Sequence, residues 1–503
     1  MSDSSKRRWI PGLLILLIAA LSISSHSLWM DEGIRIEYSN RSIADGYFDR
    51  QWEQLQMGLM HLQYLWGVLI GKTEIAYRCL NIPFLLISAV YFNLILRKYN
   101  LSSVWLLVIC AHPMVVYYMN DAGPYIILLA CSAAVYYHAF YSEQQHSILN
   151  NIATLAWLAI GFCVHFIFGF AVILYLCSIL YKWKKNGCLK SVNKEILLGL
   201  IVAPLFMYIA YMYMAHMGHG AERGWDKPGI LNLGVVGYSF SGFAGLGLPR
   251  NDMRMGNYHL ITWEMIASVS LLCLSLLILI CRTYKALWYF LRQPAMVSAM
   301  VLGAVFFIAS YSRNFQLWER HMMFVFPMFV VGMLYLLSTA WKKTLWDKLQ
   351  VSLILGMLVA SSCQLRWVYK YHKDDHKGAY MYVQQRGYFN SDIPVIAQGF
   401  PYLYRYYHCK DYSGAIPLQP HNVVLADNFS YAQILQKVDD RAQYSSTICL
   451  ILAEKSTAAK QLYSRAEAIF EIRGYKVSSS TDFNTFKILI LTKDTHTQEY
   501  FSC

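Results

Sequence analysis

Long apolar runs separated by short polar segments dominate the first 368 residues. Each run reaches or approaches the roughly 20 residues that a membrane-spanning helix needs. The pattern predicts a polytopic α-helical membrane domain over 1–368 with about eleven spans. On either side of His165, one long tilted helix is the alternative to two short ones. The predicted spans lie near 9–28, 76–96, 101–118, 124–141, 150–165, 167–182, 195–215, 259–281, 295–311, 321–340 and 348–367.

Two longer segments between spans are too polar to cross a bilayer. The first, 33–75, mixes polar residues with aromatic ones such as Trp52 and Trp66, which is typical of helices that lie in the membrane interface. An ordinary loop with a core-facing helix is the alternative. The second segment, 216–258, predicts a long outer loop.

The chain changes character after the last span. Residues 392–397, 447–452 and 486–491 have the short apolar pattern of strands, whereas 402–407 and 456–472 favour helices. Strands that alternate with helices predict a small extracytoplasmic α/β domain over 369–503.

Composition and charge agree with a multi-pass membrane protein. Of the 503 residues, 56% are hydrophobic and 15% are charged, against about 25% charged in soluble domains. Basic residues cluster beside span ends on one side, at Arg97–Lys98, 182–194, 282–292 and 342–348. The positive-inside rule then predicts a cytoplasmic N-terminus and, with an odd number of spans, a periplasmic C-terminal domain in a bacterial inner (plasma) membrane.

The net charge of +13 is explained by cytoplasmic loops beside anionic lipid, and no basic cluster with interleaved aromatics indicates a nucleic-acid partner. The first apolar run begins after Lys6-Arg7-Arg8, but its length and the spans that follow favour a retained helix over a cleaved signal peptide. Twelve cysteines show no zinc spacing. Cys409 and Cys449 could form a disulfide outside the membrane.

Polar residues that can do chemistry fall on the outer face of this topology. Asp31 and Glu32 follow the first span, and on their own they are expected to mark a helix end. Charged groups at such boundaries are costly unless hydrated, paired or functional. Several of them at outer span ends could surround one cavity. The others are Asn120, Asp121, His165, Arg313, Glu319, Arg320 and His321.

The order of several short motifs resembles a known family. A span ending in Asp31-Glu32 is followed by a long outer loop, then by 77–83 (YRCLNIP) and 117–125 (YYMNDAGPY). Val164-His165-Phe166, Arg320-His321 and 373–380 (KDDHKGAY) complete the order. The chain resembles the GT-C membrane glycosyltransferases, in the bacterial branch similar to protein O-mannosyltransferases and lipid A aminoarabinose transferases.

The resemblance implies transfer of a sugar from a polyprenyl-phosphate donor to a lipid, glycan or protein acceptor at the outer membrane face. Asp31 matches the first acid of the family's pair, implied to act as general base with Glu32 in support, and Asp121 matches the second acidic position. Arg78 matches an arginine at the start of the second span. Tyr125 belongs to a motif that implies substrate binding.

Charge neutralisation adds two further candidates. A phosphate leaving group needs cationic stabilisation, which Arg78, Arg313 or Arg320 could supply through bidentate contacts. The family often has an arginine where this chain has Gly123, so one basic contact is missing or supplied elsewhere. Asp31, Asp121 and Arg78 are expected to line one outward cavity.

Histidine and carboxylate positions allow a divalent metal such as Mg, Mn or Zn. Asp31, Asp121 and His165 are its candidate ligands, with Glu32 beside them, and no nucleotide cofactor is expected. A His165 bonded to backbone is an equally good interpretation. For Asp374-Asp375-His376, helix capping is favoured over catalysis.

Two other functions stay open at this point. A transporter or flippase for lipid-linked saccharides would place polar groups near mid-membrane on related halves, which this chain lacks. A surface-polysaccharide ligase or polymerase is compatible with the loop 216–258, whose charged residues are Glu222, Arg223, Asp226, Arg250 and Arg254.

Overall fold

The computed structural model divides the chain into two compact units. The membrane unit comprises Met1–Ser24 and Asp49–Tyr371, and the sheet unit comprises Ser25–Phe48 and His372–Cys503. The structure describes residues 3–42, 56–143, 147–186, 196–197, 199, 204, 208, 211, 228–255, 258–315, 317–368, 374–398, 406–407, 422–426, 431–442, 445–453, 468–483 and 486–493.

Helices account for the secondary structure described in the membrane unit. In chain order, with α2 belonging to the sheet unit, they are α1 (Asp3–Ser22), α2 (Met30–Ser42), α3 (Met57–Ile70), α4 (Glu74–Cys79), α5 (Asn81–Lys98), α6 (Trp105–Cys110), α7 (Pro113–Met119), α8 (Tyr125–Tyr136), α9 (Ile148–Val164), α10 (Val172–Asn186), α11 (Ile230–Phe240), α12 (Arg250–Met255), α13 (Trp263–Arg282), α14 (Tyr284–Leu291), α15 (Pro294–Ser312), α16 (Phe326–Trp341) and α17 (Leu345–Trp367).

Several of these helices can cross a bilayer. Within the described ranges, five are long and apolar enough by length and composition: Glu74–Lys98, Phe166–Lys185, Trp263–Arg282, Pro294–Ser312 and Leu345–Trp367. Shorter apolar helices include α1, α3, α9 and α16. The multi-pass helical architecture is confirmed, whereas the number of spans stays a prediction.

The first predicted span is wrong at its end. It was expected to reach residue 28, but α1 ends at Ser22, and Asp31 and Glu32 lie in the first turn of α2. The exposed N–H groups and the dipole at a helix N-terminus stabilise carboxylates there. The two acids therefore begin a helix instead of ending one.

Two histidines mark breaks between helices. The predicted span 101–118 divides into α6 and α7, because the ring of His112 caps α7 and Pro113, which lacks an N–H, occupies its first turn. At His165, α9 ends and a 3₁₀ turn over Phe166–Ala171 leads into α10. The interpretation with two helices is correct there, and the single tilted helix is wrong.

Helix α8 forms the centre of the membrane unit. All 12 of its residues are buried, and it packs between α5 and α9. Small residues such as Ala130, Ser132 and Ala134 allow neighbouring backbones to approach closely. The turn that contains Asp121 directly precedes α8. It is therefore anchored to a fully buried helix.

The sheet unit contains a five-stranded mixed sheet in the order β2-β1-β3-β5-β4. Its strands are β1 (Val395–Gln398), β2 (Val423–Ala426), β3 (Thr447–Ala453), β4 (Tyr475–Phe483) and β5 (Phe486–Lys493). Strand β1 is parallel to β2 and β3, and β5 is antiparallel to β3 and β4. The three predicted strands are confirmed as β1, β3 and β5. The predicted helices 402–407 and 456–472 lie largely outside the described residues.

A helix packs on each face of this sheet. On one face, Ile434 and Val438 of α19 (Tyr431–Ala442) pack with Ile396 and Leu450. On the other, α18 (His376–Gln385) contributes Tyr380 and Val383 to a cluster that also contains Val395, Cys449 and Ile451. Covering both faces buries the apolar strands, as in other α/β layers.

Gly245→Ala is expected to destabilise the membrane unit. A Cβ at Gly245 would overlap the backbone carbonyl of Ser361 on α17, where the Gly245 N–H also donates to Ser361 Oγ at 2.9 Å. Overpacking of this kind costs about 1–3 kcal/mol. Thermal unfolding of the purified protein in detergent measures the loss. In the control variant Gly237→Ala, the added methyl meets nothing within 4 Å, so an equal loss in both variants would contradict the explanation.

Candidate active site

Buried amide side chains hold the turn between α7 and α8 that carries Asp121. Asn81 Nδ2 donates to the carbonyl oxygens of Tyr118 and Asp121, at 3.2 and 2.7 Å. Gln63 Nε2 donates to the carbonyl oxygen of Ala122 at 2.8 Å. Backbone carbonyls at a helix end need such partners when water is excluded. The buried Asp121 therefore lies on a fixed turn.

Ser24, just after α1, is fastened to the same turn. Its backbone N–H and Oγ both donate to Asn120 Oδ1, at 3.0 and 2.7 Å. Its carbonyl oxygen accepts from Arg78 Nη1 at 2.8 Å. Arg78 is buried, with 1% of its surface exposed. One guanidinium nitrogen of Arg78, a predicted phosphate ligand, therefore binds a backbone carbonyl oxygen instead.

A buried ion pair lies beside the turn. Arg250 Nη1 contacts Glu319 Oε1, and the two side chains are 10% and 7% exposed. The Tyr118 hydroxyl donates to Glu319 Oε1 at 2.8 Å and accepts from Arg250 Nη1 at 3.1 Å. The guanidinium lies 3.8 Å from the centroid of the Tyr117 ring, in a cation–π contact. We call these four residues the Arg250 cluster.

Mutual attraction keeps both members of the pair charged. Burial raises the pKa of Glu319, but the Arg250 charge and the Tyr118 hydrogen bond outweigh burial, and the pKa lies below its ordinary value near 4.5. Burial lowers the pKa of Arg250, but the Glu319 carboxylate outweighs that effect and raises the pKa well above its usual range. At neutral pH the pair is ionised and neutral overall.

Asp31 and Glu32 have different surroundings in the sheet unit. The Asp31 side chain keeps 25% of its surface exposed, and its Oδ2 lies 3.9 Å from Arg35 Nη2, one helical turn later. Glu32 is fully buried, and its Oε2 accepts the backbone N–H of Trp29 at 3.0 Å. Glu32 thus caps the start of α2, while Asp31 presents a carboxylate that a substrate could reach.

His165 and Tyr125 take structural positions in the membrane unit. His165 Nδ1 accepts the backbone N–H of Ile167 at 3.3 Å, and its ring stacks on Phe166 with centroids 5.1 Å apart. The backbone-bonded interpretation of His165 is therefore confirmed for Nδ1. Tyr125 begins α8 and is buried, with its ring centroid 4.6 Å from that of Tyr118.

Arg313 and Arg320 are the two other arginines that were predicted to bind phosphate. Arg313 follows the last turn of α15 and is exposed. Arg320 lies in a 3₁₀ turn over Glu319–Met322, is half-buried, and contributes to the lowered pKa of Glu319. Both are more accessible than Arg78.

The remaining candidates are structural or outside the described residues. Asp375 Oδ1 accepts the backbone N–H of Gly378 at 2.8 Å, so the predicted helix cap is confirmed. Glu222, Arg223, Asp226 and Cys409 lie outside the described residues, and Cys449 is a buried free thiol on β3.

The predicted ligands do not assemble a metal site within what the structure describes. Asp31 and Glu32 belong to the sheet unit, whereas Asp121, Arg78 and His165 belong to the membrane unit. In the described part of the chain, no group of three or more His, Cys, Asp or Glu side chains could hold a metal ion. Metal binding and the shared cavity stay predictions.

Comparison with solved structures identifies the fold. The apo crystal structure of ArnT from Cupriavidus metallidurans matches with a TM-score of 0.50 and 11% identity, covering 98% of this chain and 99% of that chain. This chain has the GT-C fold. The crystal structure of the same ArnT bound to undecaprenyl phosphate gives a TM-score of 0.49 at 11% identity, over 97% and 98% of the two chains. No protein-family model and no curated protein matches this sequence.

The GT-C resemblance deduced from motif order is thus confirmed at the level of the fold. Two of its motifs fall on the turn that contains Asp121 and on the first turn of α2, although Asp31 and Glu32 were expected at the end of a span. The partnership of Arg250, Glu319 and Tyr118 was missed, as was the role of Asn81. Asn81 lies in the motif 77–83, directly before Ile82-Pro83. The one sequence signal for its role was an amide side chain at the start of α5.

Proposed function

We propose that this protein is a glycosyltransferase that moves a sugar from a polyprenyl-phosphate donor to an acceptor hydroxyl at the outer face of a bacterial inner membrane. The acceptor oxygen forms a bond to the anomeric carbon as the bond from that carbon to the phosphate oxygen breaks. Polyprenyl phosphate leaves with the bonding electron pair. The Asp31 carboxylate takes the proton of the acceptor hydroxyl.

The position of Asp31 carries this proposal. It is the acid that the GT-C motif order assigns to the chemistry, and it remains partly exposed at the start of α2 while Glu32 is buried as a cap. A general base must come within hydrogen-bond reach of the proton that it removes. Of the two acids, Asp31 alone keeps a surface on which an acceptor could bind.

Cationic groups of the membrane unit support the leaving phosphate. The exposed Arg313 and the half-buried Arg320 neutralise its charge, since guanidinium groups bind phosphate oxygens through paired hydrogen bonds. Asp121 then orients the acceptor.

Reconstituted protein tests the donor class. Liposomes that contain the purified protein are supplied with polyprenyl-phosphate-linked radiolabelled hexoses and pentoses, together with lipid, glycan and peptide acceptors. We expect release of polyprenyl phosphate in step with labelled acceptor. Movement of intact donor across the bilayer, with no cleavage of any donor, would instead support a flippase.

A further inference from the structure

The helix that carries Asp31 belongs structurally to the distant end of the chain. The segment Ser25–Phe48 forms one compact unit with His372–Cys503, although more than 300 positions of sequence separate their facing ends. Most residues of α2 are buried despite its polar sequence, including Ile36, Glu37 and Ser39. Polar side chains are rarely buried without specific partners. The segment that carries Asp31 therefore folds with the C-terminal part of the chain.

The Tyr407 hydroxyl makes the first attachment. It accepts the backbone N–H of Leu28 at 2.7 Å and lies 3.4 Å from Ser27 Oγ. The Tyr407 ring packs into the apolar cluster on one face of the sheet and stacks with Tyr380 of α18, with centroids 6.2 Å apart. One side chain thus joins the core of the sheet to the backbone three residues before Asp31.

The first turn of α18 makes the second attachment. The backbone N–H of Lys377 donates to Ser27 Oγ at 3.0 Å, and Lys377 Nζ donates to the carbonyl oxygen of Ser25 at 3.1 Å. Asp375 caps the same turn and fixes it. Residues 25–28 are therefore held from two directions by elements of the sheet unit.

Little freedom remains between these attachments and Asp31. Glu32 caps the N–H of Trp29, and Arg35 lies one turn beyond Asp31 with its guanidinium near the carboxylate. Leu28 itself is fully buried. A displacement of Leu28 would consequently move the start of α2 and the carboxylate that it carries.

We propose that the C-terminal sheet unit positions the acid Asp31, and that Tyr407 is the positioning residue through which it acts. This proposal rests on the proposed function, because it assigns a task to the domain that holds the general base. The sheet unit is then part of the catalytic apparatus, because it holds the segment 25–42 that carries Asp31. It is not an independent domain.

Tyr407→Phe tests this inference, because it removes the hydroxyl and keeps the ring in the core. With polyprenyl-phosphate sugar as donor, we expect kcat to fall about 10- to 100-fold, since displacement of a reacting group by about 1 Å can cost 10²-fold. The donor KM should stay within about 2-fold, because donor binding is left to the membrane unit. Hydrogen exchange of amides in 25–42 should become about 2- to 10-fold faster.

Tyr388→Phe is the matched control, since it removes a hydroxyl from the same apolar cluster. It should retain the wild-type kcat and exchange rates. Equal losses in both variants, or a wild-type kcat in Tyr407→Phe, would overturn the positioning role.

A double variant separates this inference from the proposed function. If Tyr407 acts through Asp31, adding Tyr407→Phe to Asp31→Asn should change the residual rate by less than about 2-fold. A full additional loss in that background would overturn the inference and leave the role of Asp31 intact. A wild-type rate in Asp31→Asn alone would instead overturn the role of Asp31, whatever Tyr407→Phe does.

Discussion

Asp31→Asn should lower kcat for sugar transfer by about 10²- to 10⁴-fold, the range that a positioned general base contributes. Asparagine keeps the size and the hydrogen-bonding oxygen of the side chain but cannot accept a proton at neutral pH. The donor KM should change little, because the lost interaction develops only as the acceptor hydroxyl ionises. Initial rates of labelled-acceptor formation, at saturating and limiting donor, measure both parameters.

Two control variants give this prediction its specificity. Asp440→Asn changes an exposed acid on α19 of the same unit and should leave kcat unchanged. Glu32→Gln keeps an oxygen that can accept the Trp29 N–H, so its effect should be much smaller than that of Asp31→Asn. A kcat in Asp31→Asn close to that of Asp440→Asn would exclude Asp31 as the base.

Much of the architecture could be predicted because a bilayer restricts what a chain can do. Backbone groups in lipid must be paired within the segment, so long apolar runs become helices. The strands at Val395, Thr447 and Phe486 were also predicted, since each begins a compact apolar run. Strand β4 was missed because five consecutive Ser, Thr or Asp residues in Tyr475–Phe483 leave it without an apolar run, on a half-exposed edge of the sheet.

Local chemistry explains where the predicted boundaries failed. The apolar run after Trp9 continues to Leu28, yet α1 ends at Ser22, where Arg366 donates to the carbonyl oxygens of Leu21 and Ile23 at 2.7 and 2.8 Å. These contacts satisfy carbonyls that the helix leaves unpaired. Arg366 lies on the last predicted span, so the hydropathy of the residues near position 22 could not reveal these contacts.

Side-chain partnerships were the least predictable part of the site. Arg250 and Glu319 are 69 positions apart, Glu319 and Tyr118 are 201 apart, and Leu28 and Tyr407 are 379 apart. A single sequence shows that such residues are polar and where the topology should place them, but not which of them meet. Asp31 could be chosen because a motif order selects it, whereas Tyr407 belongs to no motif.

Arg250→Met should destabilise the membrane unit by about 3–5 kcal/mol, since removal of one member of a buried pair leaves an uncompensated charge on the other. Glu319 would keep the Tyr118 hydrogen bond but lose its main counter-charge, and Tyr117 would lose its cation–π contact. Thermal unfolding in detergent measures the loss. The control Arg313→Met removes an exposed arginine and should shift the unfolding midpoint little.

The pH dependence of the same variant provides an independent check. Because the folded-state pKa of Glu319 lies below its ordinary value near 4.5, the wild-type pair contributes stability above that value and loses it as pH falls through the lower, folded-state pKa. The stability difference between wild type and Arg250→Met should therefore be largest near neutral pH and shrink as pH falls, because without the Arg250 charge burial raises the pKa of Glu319 and the variant takes up its proton first. A difference that stays constant as pH falls to about 4 would show that Arg250 does not hold Glu319 ionised.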